Sequence, residues 1–147
     1  MKRVAFVVLA LTLAVLAAAA PQALDAAKLT GRWRGDGVFF KADLRDQLGP
    51  IPLTVEFKAD HSATGAVGGA TMQSAHVASS TRTRIEVTAK LAGAISADPR
   101  LAKDHLALII TAITDSTVQA EFHLKSNAVL DPRMREGRVT LTRVRDR

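Results

Sequence analysis

From Leu29 onward, apolar residues recur at every second position of the chain. Ile51, Leu53, Val55 and Phe57 alternate with Pro52, Thr54, Glu56 and Lys58, the pattern of a strand with one buried and one wet face. Ile85, Val87, Ala89 and Leu91 repeat it against Arg84, Glu86, Thr88 and Lys90, as do Val118, Ala120, Phe122 and Leu124 against Thr117, Gln119, Glu121, His123 and Lys125. Turn-forming clusters, Asp60-His61-Ser62, Ser79-Ser80-Thr81 and Thr114-Asp115-Ser116, punctuate these runs. Weaker alternation marks further strands over Arg32 to Phe40, Ala63 to Gly68, Met72 to Ala78, His105 to Ile113 and Arg138 to Val144. Two segments depart from the period. Ala42 to Leu48 and Ala97 to Lys103 read as short helical turns, the second with Asp98 as N-cap and Pro99 at the first helical position.

About eight short strands in hairpin succession predict an all-β fold, an antiparallel up-and-down barrel. Closure also removes the sheet edges that would otherwise invite aggregation. An open or sandwich-like all-β domain is the alternative. One strand is anomalous. In His105 to Ile113, Ala107, Ile109 and Ile113 make one face apolar while Leu106, Leu108 and Ile110 do the same to the other. The outer face therefore needs a cover, either a helical turn of the same chain or a second subunit. A monomer is the favoured expectation, with a homo-oligomer through this strand as its rival.

The N-terminus has a different character. Met1-Lys2-Arg3 forms a basic start, Val4 to Leu16 an apolar run, and Ala17 to Ala20 a stretch of small residues, the organisation of a secretory signal. An uncleaved anchor is the other reading, although a spanning helix needs about 20 apolar residues. Cleavage after Ala19, Ala20 or Ala23 fits, so residues 1–23 are read as signal peptide and 24–147 as a single barrel domain of about 125 residues. The expected destination is periplasmic or secreted, without stable membrane insertion once the signal is removed.

The chain contains no cysteine. Disulfides, thiolate metal sites and cysteine nucleophiles are thereby excluded, so the core must stand on packing alone. Without Lys2 and Arg3 the net charge falls from +6 to +4, with 18 basic and 14 acidic residues. Much of the excess lies at Arg133, Arg135, Arg138, Arg143, Arg145 and Arg147, which suits a solvated face, anionic lipid headgroups or an acidic partner. Nucleic acid is not an expected partner, because stacking needs aromatic residues and the chain has no Tyr and one Trp.

That Trp lies in "LTGRWRGDG", Leu29 to Gly37. The motif resembles the Gly-x-Trp signature of calycins, the lipocalin and avidin-like barrels. The resemblance implies a Trp low in the barrel with an Arg of the last strand packed across it. Strand parity suits this pairing: Trp33 shares a face with Leu29 and Phe39, and Arg143 with Val139 and Leu141. Trp33 and Arg143 are thus assigned to structural closure. The avidin-like biotin site needs several aromatics that this chain lacks, and the lipocalin Thr-Asp-Tyr turn has only the partial echo Thr114-Asp115-Ser116. The stretches "ATGAVGGATM" and "EFHLKSNAVLDPRMREGRVTLTR" also resemble small exported bacterial proteins to which no activity is assigned.

Candidate chemistry is sparse. His61, His76, His105 and His123 fall at no metal-ligand spacing. His105 follows Asp104, but neighbours on a strand point to opposite faces, so the two are poorly placed as a dyad. No Gly-x-Ser-x-Gly elbow is present, and "GAVGGA" lacks the Lys and helix of a phosphate loop. Neither an enzyme nor a metal or cofactor is expected. The expected function is non-catalytic binding of a small apolar or amphipathic ligand inside the barrel, against Val55, Phe57, Val87 and Phe122. The alternative is a solid barrel acting on a partner protein, for example as a periplasmic hydrolase inhibitor, through its surface loops.

Overall fold

The computed structural model describes residues 23–126 and 133–145. The signal-like residues 1–22, the stretch 127–132 and Arg147 lie outside the described residues. Eight antiparallel strands follow one another and close into a barrel: β1 (Gly31–Phe39), β2 (Ile51–Phe57), β3 (Ser62–Val67), β4 (Ala70–Ser80), β5 (Ile85–Ala92), β6 (His105–Ile113), β7 (Thr117–Lys125) and β8 (Arg135–Arg143). The up-and-down barrel expected from the period of two is therefore the fold. No helix among the described residues is long and apolar enough to cross a membrane.

Alternation places the core. β2 runs buried, exposed, buried throughout its length, and Val87, Ala89, Val118, Ala120 and Phe122 continue the inward set on β5 and β7. Closure is set by register. Trp33 on β1 stands directly across from Arg143 on β8, with Gly37 across from Val139 and Phe39 across from Gly137. Gly37 and Gly137 serve one ring, since a methyl group at either position would run into Phe122. The two missing side chains are thus the space that the Phe122 ring occupies.

Local details differ from the sequence reading where pairing outweighs turn propensity. β4 continues through Ser79 and Ser80, which pair with Glu86 and Ile85 after a bulge. The turn moves to Thr81–Arg84, where the Thr81 hydroxyl oxygen accepts from the backbone N–H of Arg84 at 3.1 Å. β8 starts at Arg135 rather than Arg138, because Arg135, Glu136 and Gly137 pair with Leu124, His123 and Phe122.

Of the two helical turns, α1 spans Ala42–Leu48 as expected, whereas only Pro99–Leu101 of the second forms a 3-10 turn. The Asp98 carboxylate caps it, accepting from the backbone N–H of Arg100 at 2.9 Å. An additional 3-10 turn, Ala26–Leu29, precedes β1.

Both ends of the barrel are covered. At one end Leu44 of α1 is buried with Ile95 and Leu101 from the β5–β6 connection. The Arg100 guanidinium joins these two caps, donating to Asp98 and to Gln47 Oε1, while Arg135 Nε donates to the Arg100 carbonyl at 3.3 Å. At the other end Leu29 is buried beneath Trp33.

The Arg100 side chain and backbone N–H hold the Asp98 carboxyl down at about 2, against an ordinary 3.8. A folded value below the unfolded one stabilises the fold above about pH 3.8, and this contribution disappears as pH falls through about 2. Asn keeps the cap but not the charge. Asp98→Asn is therefore expected to lower Tm at pH 5 to 7 and to match the wild type near pH 2, as measured by calorimetry across that range.

Candidate functional site

The closure residues sit where parity puts them. The Arg143 guanidinium carbon lies 4.2 Å from the Trp33 ring centroid, within cation–π range. It also reaches three backbone carbonyls: Nε donates to Asp115, Nη1 to Thr30 and Nη2 to Lys28, at 2.8, 2.8 and 2.9 Å. Trp33 Nε1–H donates to Leu29 at 2.6 Å. One arginine thus ties the N-terminal turn, the β6–β7 hairpin and β8 together. Gly31 completes the seam, with φ of +128° and with Arg143 Nη1 only 2.6 Å from where a β-carbon would stand.

Val55, Phe57, Val87 and Phe122 are all buried inside the barrel, but they do not converge on one space. Val55 and Phe57 pair with Trp33 and Gly31 at the seam end. Phe122 lies towards the α1 end, edge-on to Phe39 with centroids 5.6 Å apart and planes at 72°. Leu53, Ile85, Leu108, Ile110, Leu124 and Leu141 are fully buried as well, so the inward rows fill the lumen of a barrel of this size.

Depressions open outward from the barrel surface. One of about 480 Å³ lies beside α1, between Phe40, Lys41, Leu44, Arg133, Met134, Arg135 and Glu136. Near it are the large apolar side chains that stay exposed among the described residues: Val38 at 41%, Phe40 at 43% and Met134 at 40%. The Arg138 guanidinium stands 5.5 Å from the Phe40 ring centroid. Arg135 is buried against the Arg100 carbonyl, an ordered base to this patch. A second groove, of about 300 Å³, lies on the outer wall over β4, β5 and β6.

The histidines are dispersed. His61 occupies the β2–β3 turn in a left-handed conformation, φ 67°. There the Asp60 carboxylate accepts from Ser62, both its hydroxyl and its backbone N–H, which lowers the Asp60 carboxyl below its ordinary value. His123 lies on the outer wall, Nε2 3.6 Å from Glu121 and Nδ1 beside the Met134 sulfur. His105 corrects an expectation: its Nδ1 is 2.8 Å from Asp104 Oδ1. Alternation does not separate the two, because β6 begins at His105 and Asp104 precedes it. Among the described residues no group of three or more His, Cys, Asp or Glu is placed to hold a metal ion.

On the outer face of β6, Ala107 and Ile109 are buried while Thr111 and Ala112 are exposed. Glu86 and Glu121 flank Ile109, and Thr88 and His123 flank Ala107. Helix α1 packs elsewhere, against β1, so it is not the cover that the sequence pattern suggested. No protein-family model, curated protein or solved structure matches the chain.

Proposed function

We propose that this protein is an exported, non-catalytic, calycin-like barrel that docks an acidic partner protein through its α1 end. The observation that carries this reading is the exposure of Phe40 and Met134 in one depression lined by Lys41, Arg133, Arg135 and Glu136, with the exposed Val38 and Arg138 paired beside it. Exposed aromatic and Met side chains beside Arg are the composition of interface centres. Basic rims select acidic surfaces and steer their approach. The filled interior and the two covered ends favour this surface over a ligand enclosed by the barrel. The Trp33–Arg143 stack supports the calycin resemblance, and the N-terminal signal pattern supports export to the periplasm or beyond.

The reading is tested by cross-linking the protein to envelope proteins of its own host. A partner should be captured by the wild type, released by raised salt, and lost from a Phe40→Asp, Arg138→Glu double variant of unchanged Tm. Capture that persists in this variant would place the interface elsewhere. Native mass spectrometry should show the barrel without added mass; a stoichiometric small molecule retained inside it would return the function to the lumen.

A further inference from the structure

The outer-wall groove has a chemistry of its own. Lys90 of β5 pairs directly with His105 of β6, and His105 with Lys125 of β7. All three project outward, since their neighbours Ala89, Leu91, Leu106 and Leu124 are buried. The rung therefore carries the Lys90 and Lys125 ammonium groups on either side of the His105 imidazole, a concentration of positive charge that an anion laid across it would balance. Asp104 answers it in part, holding His105 Nδ1. Since a carboxylate only accepts, that contact places a proton on Nδ1.

Beyond the rung the floor continues over the small side chains of Thr88 and Ala107, which pair across β5 and β6. The β4 wall is shaped by bulges either side of His76, with Ser74 in the left-handed region at φ 53°. A non-glycine residue there is strained, and it persists only where the surroundings fix it. His76 Nδ1 donates to the Ser74 carbonyl at 2.9 Å, holding the ring along this wall. Glu86 closes the far end, 3.5 Å from the Arg84 guanidinium. The groove therefore runs from a basic end, across a small-residue floor, to a carboxylate.

We propose that this groove binds an aliphatic chain ending in a carboxylate, its head on the Lys90–His105–Lys125 rung and its tail over Ala107. Glu86 sets the direction, because a reversed ligand would bring its carboxylate against another. The site lies on a different face from Phe40, so occupancy of one is independent of the other.

The test is titration of the isotope-labelled protein with decanoate below its micelle concentration, followed by amide NMR. Shifts should cluster on Ser74, His76, Thr88, Lys90, His105 and Ala107, with Kd of about 1 mM or tighter. Lys90→Gln with Lys125→Gln should weaken binding about tenfold, while amides on the opposite wall keep their positions and so report an intact fold. Each single variant should fall between. Decanol, which shares the chain and lacks the charge, should bind about as weakly as decanoate does to the double variant. The proposal is overturned if decanol matches decanoate, if the double variant binds like the wild type, or if shifts scatter over the barrel. Phe40→Asp should leave decanoate affinity unchanged, which separates failure of this site from failure of the docking surface.

Discussion

Trp33→Ala is expected to destabilise the protein by about 3 to 5 kcal/mol, the range for emptying a buried large aromatic site. The indole is 1% exposed and spans the closed end of the barrel. Its loss also orphans the Leu29 carbonyl, which accepts the indole N–H at 2.6 Å. Arg143→Ala should cost less, because its three backbone acceptors lie at the solvent margin and water can replace the guanidinium there. The two effects should not add. With the guanidinium 4.2 Å from the ring, a double-mutant cycle should return a coupling of about 0.5 to 2 kcal/mol. Urea unfolding followed by far-ultraviolet circular dichroism measures all four proteins, including those without the fluorophore. Additive effects would mean that Trp33 and Arg143 stabilise the seam separately.

The seam also shows what a sequence of this kind makes legible. Parity along β1 and β8 put Trp33 and Arg143 on the inward face, because a period of two leaves each side chain one of two faces, and the Gly-x-Trp resemblance is what paired them. The eight strands were legible for the same reason, as were the buried positions of Val55, Phe57, Val87 and Phe122. What alternation cannot carry is relation across the barrel. Gly31 reads as a flexible residue until Arg143 Nη1 is seen where its side chain would be. Gly37 and Gly137 are a hundred positions apart, yet a β-carbon at either would meet the same Phe122 ring. The Lys90–His105–Lys125 rung was equally hidden, since each residue looked like an ordinary solvated position on its own strand.

The exposed patch had a weaker signal. Val38 and Phe40 both break the rule that outward positions are polar, and that departure was present in the sequence. Met134 lies almost a hundred residues away and joins them only because β8 pairs with β1 to close the sheet. Asp104 and His105 went the other way: a correct rule about strands was applied to a residue that stands just outside one. Register and element ends, rather than element identity, therefore decide where polar groups meet in this fold.

Phe122→Ala should cost a further 3 to 5 kcal/mol by the same cavity argument, and its consequences bear on whether the barrel can hold a ligand. Phe122 is 1% exposed, packs edge-on against Phe39, and covers two glycines that offer no side chain to fill the space it leaves. The strands around it are locked by ladder pairing on both sides, β6 with β7 and β7 with β8, so the wall cannot collapse inward. An apolar cavity of this kind stays dry and takes up small apolar molecules. Benzene should therefore raise the Tm of Phe122→Ala and leave that of the wild type unchanged, since only a ligand with a place in the folded state stabilises it. An equal rise in both proteins would show that the native lumen already has room. Gly37→Ala supplies the converse: alone it forces a methyl group into the Phe122 ring and should destabilise by about 1 to 3 kcal/mol, but in the Phe122→Ala background the same methyl group fills vacated space and should restore stability. That reversal of sign is expected only if the lumen is filled by its own side chains, with the missing atoms of Gly37 matched to the ring of Phe122.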